Sequence, residues 1–147
     1  LTADVVTLNK SWSEEDLSKP LFLLLCSGEH EKIQMAAMMA SVAAVSERPV
    51  QLFVSMNALL SFKKEVTQDG RYQGGTFSKL MRDKKAPDAM QLFGQGKALG
   101  SLSIYACSMA LDISGLELAD LVDDLFDGVL GLTKFLSDAE SGDLVVL

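Results

Sequence analysis

Cys26 and Cys107 are the residues of this chain best suited to nucleophilic chemistry, and each closes an apolar run. Leu102-Ser103-Ile104-Tyr105-Ala106 leads into Cys107, and Ser108-Met109-Ala110-Leu111 follows with helical character. A cysteine at such a junction lies against the unpaired N–H groups of a helix N-terminus, where the positive end of the dipole stabilises a sulfur anion. Asp112 works against this if its carboxylate turns inward. Cys107 is therefore the leading sulfur nucleophile. Cys26 ends the unbroken run Leu21-Phe22-Leu23-Leu24-Leu25, a setting in which a free cysteine commonly serves as a small buried hydrophobe.

His30 is the only histidine. It reads either as an exposed residue in the first turn of a helix or as a proton donor or acceptor beside a thiol. One histidine and two cysteines without close spacing form no recognisable metal cluster, so no metal is expected. No cofactor is expected either. The glycines of Gly94-Gln95-Gly96-Lys97-Ala98-Leu99-Gly100 are spaced one residue too widely for a dinucleotide fingerprint. The stretch also runs out of a helix into a strand, so it reads as a helix end and loop, whereas a fingerprint opens a helix. In the loop Ser27-Gly28-Glu29-His30-Glu31-Lys32 two acids oppose a phosphate. Its backbone N–H groups and Lys32 could still meet an anionic sulfur group.

The elements that would position these residues alternate. A strand over residues 21–26 is unalternating, which means that both of its faces are covered, as in a central parallel strand. Ser27 can cap a helix from His30 to Glu47 that carries acids in its first turn and stops before Pro49. A second strand spans 50–55, a short helix 57–66, and a mobile loop 67–76, where Asp-Gly and Gly-Gly occur. Short helical pieces at 77–83 and 88–93 precede the third strand at 102–106. Helices at 117–125 and 130–139 follow, with Val129-Leu130 as an alternative short strand, and the last strand covers 144–147. Strand–helix alternation predicts an α/β fold, three layers α/β/α around a mainly parallel, flavodoxin-like sheet. In that order the first strand lies between the second and third, so both cysteines would end neighbouring strands at the ligand-binding edge. Residues 1–20 read as a polar lead-in, with Ser11 or Ser13 capping a turn through Leu17, and 21–147 as one domain.

Met35, Met38 and Met39 read as core or subunit interface, and Ala36, Ala37, Ala40, Ala43 and Ala44 would let another helix approach closely. The length of 147 residues fits a single core, and 48% hydrophobic with 22% charged residues is ordinary for a globular domain. A mean hydropathy of +0.22 leaves room for a packed partner surface. The net charge of −7 repels phosphate, which argues against nucleic acid as a partner. Short basic groups such as Arg82, Lys84 and Lys85 are flanked by acids, and Asp120, Asp123, Asp124 and Asp127 read as a solvated face. No apolar stretch reaches the length of about 18 residues needed to span a membrane, so no direct membrane insertion is expected. Charges at Asp4, Lys10, Glu14, Glu15 and Asp16 leave no export-signal core, and two cysteines suit a reducing cytoplasm.

The segment Ile104-Tyr105-Ala106-Cys107-Ser108-Met109-Ala110-Leu111-Asp112 resembles the cysteine motif of DsrE/DsrF-like proteins, in the branch often labelled peroxiredoxin-like. Gly115-Leu116, Asp123-Asp124, Gly128-Val129 and Phe135-Leu136 through Ala139-Glu140 continue the likeness, which spans about residues 21–147. It implies a DsrE/F-type sheet, a homo-oligomer of three or six copies, and sulfur transfer through a persulfide or thiosulfonate on Cys107. Sulfur-relay proteins would be partners. Peroxide reduction is not implied. Some relatives carry a second cysteine soon after the first; here Ser108 follows, and a second thiol would be Cys26 or come from another chain. The resulting expectation is a sulfur carrier with catalytic Cys107, its anionic sulfur group bound by Ser27, Gly28, Ser108 and Met109 and helped by His30 or Lys32. The competing expectation is a non-catalytic ligand-binding or assembly subunit with an inert Cys107. A weaker third is a redox sensor that joins Cys26 to Cys107.

Overall fold

Continuous apolar strands need cover on both faces, and the computed structural model, which describes residues 19–147, supplies it. Residues 1–18 of the lead-in expected over 1–20, with its Ser11 or Ser13 cap, lie outside the described residues. The described elements are β1 (Leu21–Leu25), α1 (His30–Val45), β2 (Val50–Val54), α2 (Met56–Ser61), α3 (Gln68–Arg71), α4 (Thr76–Asp83) and α5 (Ala89–Leu99). There follow β3 (Leu102–Cys107), α6 (Ser108–Ser114), a 3-10 turn (Leu118–Asp120), β4 (Gly128–Leu130), α7 (Leu132–Ala139) and β5 (Asp143–Val146). Every strand pair is parallel, so the fold is α/β with three layers.

Register assigns the side chains to faces. Leu23, Leu52 and Ile104 share one row, and with Leu25, Val54 and Ala106 they turn toward α1 and α5. Ala36, Ala37, Ala40 and Ala44 let α1 pack along α5. A Cβ on Gly96 would stand 3.3 Å from the Cα of Ser41, and one on Gly100 would stand 2.3 Å from the carbonyl oxygen of Ala44. On the opposite face Phe135 of α7 stacks on Phe53 at 4.9 Å and meets Phe22 edge-on at 6.0 Å. Each such ring, fully buried, contributes about 1.5–3 kcal/mol.

The strand order is β4-β3-β2-β1-β5. It corrects the expected placement of β1 between β2 and β3: β2 occupies that place, and β5 pairs with the other edge of β1. Three local expectations also change. Residues 94–99 do not form a loop but continue α5 to Leu99, because glycine at position 96 is what close packing on α1 requires. The expected helix at 117–125 is a three-residue 3-10 turn, since the Asp120 carboxylate accepts the Glu117 N–H and closes the turn on itself. Glu29, not Ser27, occupies the N-cap of α1, while the Ser27 hydroxyl accepts the Glu29 N–H.

α1 ends in a Schellman turn, with the Arg48 N–H on the Ala43 carbonyl and the Glu47 N–H on the Ala44 carbonyl. Glu47 sits there at φ 66°, the left-handed region. An L side chain in that region costs about 1–2 kcal/mol, partly offset by the greater chain entropy of glycine. Glu47→Gly is therefore expected to stabilise the fold by about 0.5–1 kcal/mol, while Glu47→Ala, which keeps the Cβ, leaves it nearly unchanged. Urea unfolding of the three proteins at equal m-value checks this.

Candidate functional site

All five strands end on one edge, and the carboxyl ends of β1 and β3 carry the predicted site residues. Cys107 closes β3 and is the N-cap residue of α6, as the sequence predicts. Its residue is 4% exposed, whereas Met109, two residues on, is exposed and Ser108 half-buried. Leu130 of β4 pairs with Cys107 in register, and Ser108 Oγ lies beside Gly131 at the start of α7. Asp112 is exposed, so its carboxylate does not turn inward against the sulfur.

Cys26 follows β1, and its thiol donates to the carbonyl of Leu147 at 3.4 Å. The row Leu25, Val54, Ala106 places β2 between the two cysteine-bearing strands. Two strand spacings separate the cysteine Cα atoms by about 9.5 Å. A disulfide needs less than about 7 Å, so an intrachain Cys26–Cys107 bridge requires the backbone to move.

Ser27 and Gly28 line a crevice of about 560 Å³ at the ends of β1 and β2, together with Asn57, Leu60, Arg71 and Gln73. Cys107, Ser108 and Met109 do not line it. Arg71 is already engaged, donating to the carbonyls of Ser61 at 2.7 Å and Lys63 at 2.8 Å. These bonds, and the Glu29–Gln73 bridge, tie down the segment 67–76 that composition alone marks as mobile. Lys32 is exposed and lines neither this crevice nor the cavity described next.

His30 departs most from expectation, being 5% exposed rather than a surface residue. Its ring stacks on Tyr72 with centroids 4.3 Å apart, and Nδ1 bonds to Ser78 Oγ at 2.7 Å. Tyr72 in turn donates its hydroxyl proton to Asp88 at 2.7 Å, and Arg82 donates to the Tyr72 carbonyl. Burial pushes the Tyr72 phenol up, and the Asp88 carboxylate that accepts its proton pushes it further. The N–H groups of Gly75 and Ser78 donate to Glu31 Oε2, so a carboxylate from α1 caps α4. Glu31 is held below the usual carboxylate range, first by its own backbone N–H and then by those two. None of Tyr72, Ser78, Arg82 or Asp88 is a site candidate from sequence, because they come from separate segments with no shared motif. Asp88 alone leaves a signal, a helix-capping residue directly after Pro87.

Burial, followed by the Arg82 charge, lowers the His30 pKa below its ordinary 6.5. The unfolded chain therefore binds this proton at a higher pH than the native protein does. Stability is full above pH 6.5 and falls as the pH drops through the lowered native value. Unfolding measured between neutral and mildly acid pH should show that decline, and a His30→Asn variant should show a flatter profile. An unchanged slope in the variant would remove His30 as its source.

No family model matches the chain. It is similar to the uncharacterized protein YrkE of Bacillus subtilis (strain 168), 23% identical over 154 residues that cover 86% of this chain and 95% of that one. Among solved structures it is similar to MTH1491 of Methanobacterium thermoautotrophicum, a protein of unknown function. The TM-score is 0.59 at 12% identity, over 88% of this chain and 99% of that one, and this likeness shows the α/β fold.

Proposed function

We propose that the chain is a cytoplasmic sulfur carrier of the sulfurtransferase type, with Cys107 as the sulfur-bearing residue. The observation that carries the reading is the position of Cys107 at the carboxyl end of a parallel strand, where it is the N-cap residue of α6. The resemblance of the Cys107 segment to DsrE/DsrF-like proteins supports it. In this scheme the Cys107 thiolate attacks the sulfane sulfur of a persulfide donor, forms a new S–S bond and releases the donor thiolate. An acceptor thiolate then attacks the outer sulfur and displaces the Cys107 thiolate. Sulfur is handed on with no net oxidation, and Ser108 and Met109 supply the amides nearest the carried anion. A sulfur-relay protein would provide the acceptor.

The homo-oligomeric part of the proposal rests on α1. Met35, Met38, Val42 and Val45 are exposed, and their 3-4-3 spacing lines them up on one helix face. Val42 alone is 67% exposed, and Leu99 of α5 adjoins it. Among the described residues no helix is long and apolar enough to cross a membrane. Val42→Asp should convert the assembly to monomers in a light-scattering measurement of molar mass; a monomeric wild type would refute the assembly reading.

A second reading follows from the burial of Cys107 and from the two cavities that exclude it: a ligand-binding or assembly subunit whose thiol is inert. Intact mass after incubation with tetrathionate or polysulfide separates the two. The carrier reading expects a sulfur adduct on wild type and on Cys26→Ser but none on Cys107→Ser. No adduct on folded, reduced wild type, or one that follows Cys26, would favour the inert thiol.

A further inference from the structure

A second polar cavity among the described residues lies away from Cys107. It has a volume of about 320 Å³ and opens between the start of α1, the segment around Tyr72 and the end of α4. That size is at the lower end of small-molecule sites. His30 forms part of its wall. Ser78 is 1% exposed and its hydroxyl has one partner among the described residues, His30 Nδ1. A buried hydroxyl proton without an acceptor is costly, so Ser78 donates to Nδ1 and the imidazole carries its own proton on Nε2. Nε2 has no protein partner among the described residues and is not sealed from solvent, so an N–H donor faces the cavity.

Cations complete the donor set. Arg82 and Lys85 line the same cavity, and neither makes an ion pair among the described residues. Within residues 79–85 Lys79, Arg82, Lys84 and Lys85 face a single acid, Asp83, in a chain of net charge −7. Two carboxylates also line the cavity. Asp88 is occupied, accepting from the Tyr72 hydroxyl and from the Gln91 N–H as the cap of α5. Those donors are neutral, so Asp88 keeps its charge, and with Asp69 it sets two negative charges at the wall against the two positive ones of Arg82 and Lys85. Met81 and Pro87 add apolar surface.

We propose that this cavity binds a small molecule carrying an oxyanion (carboxylate, sulfonate or phosphate), held by His30 Nε2–H, Arg82 and Lys85 with its apolar part against Met81 and Pro87. The site is independent of Cys107, and its test does not depend on sulfur chemistry. Because His30 is the only histidine, its imidazole proton signals report on the cavity without ambiguity. The experiment titrates inorganic phosphate, methanesulfonate and butyrate in turn into the full chain, at fixed neutral pH and constant ionic strength, and follows those signals by NMR. The expected result is a saturable shift with at least one probe. Lys85→Gln and Arg82→Gln should each weaken that binding roughly tenfold, and Lys134→Gln on α7 should leave it unchanged. Lys85 has no ion pair among the described residues, so its variant tests the site even if loss of the Arg82–Tyr72 bond disturbs folding. No shift up to tens of millimolar probe, a shift that never saturates, or equal affinity in Lys85→Gln and wild type would overturn the proposal.

Discussion

Parallel pairing of every strand is the constraint on which the rest depends. It forces all carboxyl ends onto one edge, so Cys26, Ser55, Cys107 and Gly131 emerge together whatever else the chain does. Strand order then decides which of them are neighbours. With β2 in the middle, the first turn of α2 stands between the end of β1 and the end of β3. The Ser27–Gly28 crevice falls on one side of α2 and the Cys107–Ser108 junction on the other. A single pocket that combines these groups is therefore not what the sheet builds. Each region has to be argued from its own partners.

What sequence reveals of this architecture is what local physics controls. Runs such as Leu21–Leu25 and Val50–Val54 lack alternation because helices cover both of their faces, and that pattern is visible without coordinates. The strand-to-helix junction at Cys107 is likewise local. Strand order is not local: it turns on β5, four residues that pair with β1 and carry no mark of that choice. The environment of His30 is hidden for the same reason. It depends on Tyr72, Ser78 and Arg82, brought in by a segment that reads as a loop and by a short helical piece with no mark of that contact. Gly96 shows the opposite failure, in which a helix-breaking residue marks a close helix contact instead of a helix end.

The corner between α1 and α4 shows how fold and site requirements differ. Glu31 caps α4 only because Gly74 has no side chain; a Cβ there would lie 2.6 Å from Ser78 Cβ and would also collide with the Glu31 carboxylate. Cations near the end of α4 suit its dipole, which explains Arg82 and Lys84 without a ligand. Lys85 needs a further reason. It occupies the left-handed position of the Schellman turn at φ 53°, with the Ala86 N–H on the Met81 carbonyl, where glycine would cost the fold less. A long cationic side chain retained at the rim of a donor-lined cavity is what an anion site asks for, although Glu47 shows that this fold also tolerates a charged residue in the same turn elsewhere.

The burial of Cys107 bears on chemistry through α6. Seven residues are too few for a helix to persist on its own, and α6 keeps its place mainly through Ala110 and Leu111, while Asp112, Ile113 and Ser114 are exposed. Opening such an element costs less than unfolding the sheet beneath it. Every 1.4 kcal/mol of opening free energy lowers the reactive population about tenfold. A thiol under a cover of this kind is protected from adventitious oxidants in proportion to that energy. On the sulfur-carrier proposal, a partner that bound an opened form of α6 would supply the same energy on docking and so confine reaction to that encounter. On that proposal the short helix would thus set the selectivity of the thiol as well as its accessibility.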